Sequence, residues 1–256
     1  MSASLAISLN TNPGPLSHFV PQRLSSVIPC TYCPVRNTSV CFAVPEDKLG
    51  RLANVAVMGK TAIGHTIIDE GTPATGFYNL SRGYAKLYKM LPDGRRQITG
   101  FATPGDFLGL AVSEKHAFSA EALTPVEYCR FPRAGMTRLI NDFDMMGNQI
   151  LAVVSNELIA AREQMLLLGQ KTAQERVASF LASWSRHGMP GNAVRSRFVL
   201  PMGREDVADY LGLTPETISR GMTKLRVAKL IATPNHRGIE ILDHEGLERV
   251  ASGVCP

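Results

Sequence analysis

Three of the five cysteines fall within twelve residues, in the pattern Cys30-x2-Cys33-x7-Cys41, and a fourth, Cys129, closes a run of short apolar segments. Thiolates are soft donors, and a set of four suits either a tetrahedral zinc ion or an iron-sulfur cluster. Structural zinc usually draws on two close pairs of ligands. Here three donors crowd together and the fourth lies 88 residues further on, an asymmetry that favours a cluster while leaving zinc or a thiol-redox switch open. Taken alone, Cys129 also fits a buried strand thiol. The six histidines (18, 65, 116, 187, 236 and 244) show no metal-ligand spacing and no acid-base motif, so the chain is not expected to be an enzyme.

A second constellation lies between Gly203 and Lys224. In Arg204-Glu-Asp-Val-Ala-Asp-Tyr-Leu211 the apolar residues Val207, Ala208 and Leu211 share one helical face, and Gly212 can end that helix in the left-handed conformation. Thr214 can cap the next helix and Pro215 suits its first turn, where no amide donor is needed. Ile218, Met222 and Leu225 then make the buried stripe, which leaves Glu216, Thr217, Ser219, Arg220 and Thr223 facing outward. This is the pattern of a helix-turn-helix, whose second helix presents its N-terminal side chains to base edges in the major groove. Arginine pairs bidentately with guanine, glutamate accepts from the cytosine amino group, and serine serves several edges. Between Arg195 and Arg237 eight basic residues stand against four acidic ones, and the whole chain carries a net charge of +5, which suits a polyanionic partner.

The elements that must hold these residues follow from the turn signals and from the periodicity. From Val55 to Phe131 apolar stretches alternate with Glu70-Gly71, Ser81-Arg82-Gly83, Pro92-Asp93-Gly94 and Pro104-Gly105-Asp106, the spacing of an antiparallel sandwich or small barrel. Asp93-Gly94 marks the clearest hairpin, between Ala85 to Met90 and Gln97 to Phe101. Then the period changes. Gly147, Leu151, Val154, Leu158, Ala161, Met165 and Leu168 succeed one another at steps of four and three, a coiled-coil seam that predicts a homodimer. Thr172 and Glu175 have the spacing of a capping box and open a helix that buries Val177, Phe180, Leu181 and Trp184. A short strand at Phe198 to Leu200 precedes the helix-turn-helix, and a hairpin with arms near Leu230 to Ala232 and Ile239 to Leu242 follows it.

The domain plan is therefore a flexible leader over residues 1–29, a cysteine-bearing segment and sensor domain over 30–134, a dimerisation helix over 135–170, and a DNA-binding domain over 171–256. With 45% hydrophobic and 19% charged residues the composition is globular. No apolar run approaches the roughly 18 residues that span a bilayer, and the first nine residues lack a basic n-region, so no membrane partner is expected and a cytoplasmic location is.

The stretch Leu211-Gly-Leu-Thr-Pro-Glu-Thr-Ile-Ser-Arg220 resembles the recognition signature of the CRP/FNR family of bacterial regulators, in its FNR branch. The likeness extends over Ile98-Thr-Gly-Phe101, Gly105-Asp-Phe-Leu-Gly109 and Lys171-Thr-Ala-Gln-Glu-Arg176. It implies an α+β chain with an N-terminal jelly-roll domain of the cyclic-nucleotide-binding type, a long dimerisation helix and a C-terminal winged helix-turn-helix. It further implies that Glu216, Ser219 and Arg220 read a palindromic TTGAT-like site, with Thr214, Thr217 and Arg204 as further DNA contacts and RNA polymerase as a partner. The branch holds a [4Fe-4S] cluster on three N-terminal cysteines and one in the sensor domain, positions matched by Cys30, Cys33, Cys41 and Cys129, and oxygen acts through that cluster on dimerisation and on genes for low-oxygen metabolism. Cys255 matches no ligand position. The family's other large branch holds the phosphate of a cyclic nucleotide with an arginine, but Gly109 to Ala120 contains none, so no cyclic nucleotide is expected.

Overall fold

The computed structural model describes residues 29–110, 114–187 and 193–254, so all but the last residue of the expected leader, and Cys255, lie outside the described residues. The N-terminal cysteines ride on short 3-10 turns, Pro29–Tyr32, Arg36–Thr38 and Val40–Ala43, followed by Glu46–Lys48 and by α1 (Leu49–Val55). Eight strands come next: β1 (Val57–Thr61), β2 (Thr66–Ile68), β3 (Gly76–Arg82), β4 (Ala85–Met90), β5 (Arg96–Ala102), β6 (Phe107–Leu108), β7 (Ser119–Ala122) and β8 (Val126–Pro132). They pair antiparallel into two four-stranded sheets, β1-β8-β3-β6 and β2-β7-β4-β5, which is the jelly-roll sandwich expected of the sensor domain. The four glycines of the turn signals, Gly71, Gly83, Gly94 and Gly105, all take positive φ. At Gly83 a Cβ would also stand 2.3 Å from the carbonyl oxygen of Pro125, so conformation and space both demand glycine there.

Between the sheets lie Ile68, Leu80, Leu108 and Val126 with the small residues Ala85, Ala102, Ala120 and Ala122, which let the two layers approach. A second core sits under the cysteine segment, where Val40, Cys41, Val44, Leu49 and Leu52 meet Phe107, Phe131, Met136 and Leu139.

The stretch 135–170, expected as one dimerisation helix, is two helices: α2 (Arg133–Asp142) and α3 (Asp144–Gln170). Phe143 separates them in an extended conformation, φ −134° and ψ 100°. Its ring is buried in the second core with the Arg51 guanidinium 5.4 Å from its centroid, a position that an uninterrupted helix could not give it. Helix α2 thus belongs to the sensor domain, against which it buries Gly135, Met136 and Leu139.

Beyond α3 come α4 (Ala173–Arg186), β9 (Arg197–Val199), α5 (Arg204–Leu211), α6 (Pro215–Val227), β10 (Ile231–Ala232), β11 (Gly238–Ile241) and α7 (His244–Ala251). The capping box that opens α4 is present in both directions: Glu175 N donates to Thr172 Oγ1 at 3.4 Å and Thr172 N to Glu175 Oε2 at 3.0 Å. Strands β10-β11-β9 form a three-stranded sheet, so the C-terminal domain is a winged helix-turn-helix. Among the described residues no helix is long and apolar enough to cross a membrane.

Candidate functional site

The reading head is built as its sequence dictates. Gly212 ends α5 at φ +61°, and Leu213 N returns to Ala208 O at 3.0 Å. Thr214 caps α6 by accepting from Thr217 N at 3.2 Å, with Pro215 in the first turn. Ile218, Gly221, Met222 and Leu225 are buried, and Gly221 lies so close to α4 that a Cβ there would meet Val177 Cγ2 at 3.0 Å. Glu216, Ser219, Arg220, Thr223 and Lys224 are exposed together on the opposite face. The Glu216 carboxyl is held below the usual range by its own backbone N–H and then by the Thr214 hydroxyl, with Arg220 one turn on acting in the same direction. It is a carboxylate at neutral pH. The Thr214 and Thr217 hydroxyls lie 3.1 Å apart and are engaged in the cap. Arg204 opens α5 half-buried, and its Nη1 has no hydrogen-bond partner.

This head is clasped to the chain's own sensor sheet. Lys86 of β4, its side chain only 8% exposed, stands 3.0 Å from Glu121 and 3.1 Å from Asp206 of α5. Arg96 of β5 reaches Asp209 at 2.8 Å, and Gln97 Nε2 donates to Asp209 O at 2.7 Å. Beside them the Phe101 ring lies among Phe180, Trp184 and Tyr210, with centroids 6.2, 5.9 and 5.2 Å away. Arg176 ties the head to the long helix: Nη1 donates to Leu211 O at 2.9 Å, Nη2 to Leu168 O at 2.8 Å and Nε to Lys171 O at 2.9 Å. Sequence reading missed the clasp, because surface lysines and arginines on strands carry no signal of their partners. Arg176 closes the motif Lys171-Thr-Ala-Gln-Glu-Arg176, in which nothing local signals its three carbonyl partners.

The three clustered cysteines and the distant Cys129 line a single cavity of about 480 Å3 between the 3-10 turns and β8. Burial, and after it the neighbouring sulfurs, push the thiols of Cys41 and Cys129 up to about 12 and that of Cys30 up to about 11. Thiols so buried are protonated at neutral pH, so loading a metal must release protons. Arg36 and Asn79 line the same cavity, and each leaves a buried atom without a partner: Nε of Arg36 and Oδ1 of Asn79. Asn79 Nδ2 also lies 4.0 Å from Cys41 Sγ. Among the described residues no group of three or more His, Cys, Asp or Glu side chains is drawn together as one bound ion requires. Zinc–sulfur bonds of about 2.3 Å would bring tetrahedral thiolates within about 3.8 Å of each other. Four thiols spread around a cavity leave room for a larger group, and the unpaired guanidinium N–H would suit the sulfurs of an anionic one.

The turn that carries Cys41 into the cavity wall also packs against the long helix. Val40, Cys41 and Ala43 pack in one core with Met146, Ile150 and Val153 of α3. The neighbouring face of α3 carries the seam, with Leu151 64%, Val154 43%, Leu158 51% and Met165 71% exposed. Ala161 is also exposed, whereas Gly147 and Leu168 are half-buried. Within the 27-residue helix only Met146 is fully buried. So apolar a helix surface, left uncovered by its own chain, has the character of a pairing interface.

A jelly-roll sensor, a long apolar helix and a winged helix-turn-helix in that order define a sensor-linked DNA-binding regulator. Residues 175–250 match the family model of the Crp-like helix-turn-helix domain and residues 60–143 that of the cyclic nucleotide-binding domain. The chain is 40% identical over 223 residues to the nitrogen fixation regulation protein FixK of Bradyrhizobium diazoefficiens, covering 87% of this chain and 94% of that one. It is 41% identical over 226 residues to the transcriptional activatory protein AadR of Rhodopseudomonas palustris, covering 87% and 92%. The structure of FixK2 from Bradyrhizobium japonicum superposes with a TM-score of 0.71 at 35% identity, over 77% of this chain and 97% of that one. The chain belongs to the CRP/FNR family of DNA-binding transcription regulators, which bind DNA as dimers.

Proposed function

We propose that this regulator responds to oxygen through a [4Fe-4S] cluster held by Cys30, Cys33, Cys41 and Cys129, and that it binds a palindromic TTGAT-like operator as a homodimer. The observation that carries the reading is the gathering of these four thiols around one cavity, one of them, Cys41, belonging also to the core against which Ile150 and Val153 of α3 pack. When bound, such a cluster supplies an oxygen-labile crosslink between the N-terminal segment and the sensor strand. The chain's own residues do the rest. Cys41 sits on the turn that packs against Ile150 and Val153, so a shift of that turn is felt one helical step away at the seam. Glu216, Ser219 and Arg220 read base edges, while Arg204 and the Thr214 and Thr217 hydroxyls face the backbone and fix the register. At promoters the bound dimer meets RNA polymerase and activates genes for low-oxygen metabolism. Its effector is not a cyclic nucleotide, for want of an arginine between Gly109 and Ala120 to hold the phosphate.

Operator binding by protein kept anaerobic and then exposed to air tests the proposal. Tight anaerobic binding should weaken at least tenfold in air, and Cys41→Ser or Cys129→Ser protein should bind weakly in both conditions. Equal binding by wild type in both conditions, with unimpaired serine variants, would overturn the cluster reading. Air-stable binding that is lost on chelating zinc would replace it by a structural zinc, and loss restored by dithiothreitol alone by a thiol switch.

A further inference from the structure

Arg162 is exposed near the middle of α3 and makes no hydrogen bond or ion pair among the described residues. Its position relative to the seam assigns it a partner. With Leu151, Leu158 and Met165 at heptad position a and Gly147, Val154, Ala161 and Leu168 at d, the flanking g residues are Ile150, Glu157 and Gln164, and the e residues are Asn148, Ser155 and Arg162.

The structure gives the two flanks different surroundings. Two of the g residues are engaged within their own protomer: Ile150 packs on the cysteine core, and Gln164 Nε2 donates to Tyr210 O at 2.8 Å. Glu157, between them, stands near Asp106, whose Oδ2 accepts from Thr103 N at 2.7 Å. Surrounding atoms and then the Asp106 carboxyl raise the Glu157 carboxyl, and no lysine or arginine of its own chain pairs with it among the described residues. The e residues Asn148, Ser155 and Arg162 are all exposed. One flank thus holds acid without a cation, and the other a cation without an acid.

Both reading heads of a dimer must meet one duplex, and each head lies at the C-terminal end of its α3, so the two helices run parallel. In a parallel pair a g residue faces the partner's e residue five positions on, and five positions beyond 157 is 162. We infer that Glu157 of each protomer pairs with the partner subunit's Arg162, making two symmetric ion bridges across Leu158 that fix the register and the parallel sense of the dimer. The inference rests on the dimeric reading of the seam.

Charge exchange tests it. In sedimentation at low salt under anaerobic conditions, Glu157→Lys or Arg162→Glu alone should raise the dimer dissociation constant at least tenfold, because each sets two pairs of like charges against each other across the interface. The double exchange, Glu157→Lys with Arg162→Glu, should return it to within about threefold of wild type. Mixing the two single variants should give heterodimers in excess of the statistical half. Both positions are exposed, and Trp184 fluorescence checks that each variant is folded. Single variants that pair like wild type, or a double variant as weak as the sum of its parts, would overturn the pairing while the dimer stands. A wild-type protein that stays monomeric at all concentrations would remove the dimer and the pairing together.

Discussion

Replacing Arg176 by methionine should sever the strongest mechanical link between the long helix and the reading head. The guanidinium donates to three carbonyls, at Leu168, Lys171 and Leu211, at distances of 2.8 to 2.9 Å. The first two belong to the C-terminal end of α3 and the third to that of α5, so the cation also complements the negative ends of two helices. A hydrogen bond from a charged donor contributes about 1.5–3 kcal/mol net. Arg176 is half-buried, so its carbonyls are partly rehydrated on removal. Taking the lower end for three bonds and discounting one for that rehydration, the loss is about 3 kcal/mol. Methionine keeps much of the packing, so the deficit is chiefly polar. Trp184 is the protein's single tryptophan and lies in the core of the same domain, so urea unfolding followed by its fluorescence reads the effect directly. Arg176→Lys, which keeps the charge but not the three-way geometry, should recover about a third of the loss, roughly 1 kcal/mol. A methionine variant within about 0.5 kcal/mol of wild type, an ordinary surface effect, would refute the reasoning.

Four further outcomes follow from the same geometry. Lys86→Met leaves Glu121 and Asp206 without their shared cation in a site where the lysine is nearly enclosed, and should cost about 3 kcal/mol in denaturant unfolding. Gly221→Val drives a branched side chain into Val177 across the α4–α6 contact and should destabilise the head by about 1–3 kcal/mol, with operator affinity falling in parallel. Leu158→Glu places a charge in the exposed seam; light scattering should show a folded monomer that has lost palindrome binding but keeps weak, salt-sensitive affinity for any duplex. Arg220→Ala and Glu216→Ala should each cost about 1–3 kcal/mol on the operator and little on unrelated DNA, as read by competition titration.

How much of this was legible beforehand depended on the range over which each signal acts. Local chemistry was read closely. Gly212 has the left-handed conformation, Thr214 caps its helix, Thr172 and Glu175 form their reciprocal box, and the strand Ala85 to Met90 has the expected ends. Each of those signals is decided within a few residues by backbone sterics or a single hydrogen bond. Leu151, Leu158 and Met165, picked out by their period alone, lie exposed on α3. Strands β9 and β11 each lie one residue earlier than expected and β10 is one residue shorter, the usual blur of element ends. The break at Phe143 was not read, since an aromatic residue in a helical pattern looks the same whether it continues the helix or turns into a core. Nor could spacing reveal that Arg36 and Asn79 would share the cysteine cavity or that Lys86 and Arg96 would clasp Asp206 and Asp209. Those contacts join elements that only the folded sandwich brings together. The base-reading assignments and the cluster came from likeness to a family.

The central claim is that four thiols around one cavity hold an oxygen-labile iron-sulfur cluster that governs pairing of α3. Iron and acid-labile sulfide measured on anaerobically purified protein, together with its sedimentation before and after air, test this most directly. The account predicts about four irons and four sulfides per chain, as the [4Fe-4S] composition requires, in a dimer that dissociates as both are lost in air. Protein that carries a single zinc and no sulfide, with an oligomeric state indifferent to air, would contradict it.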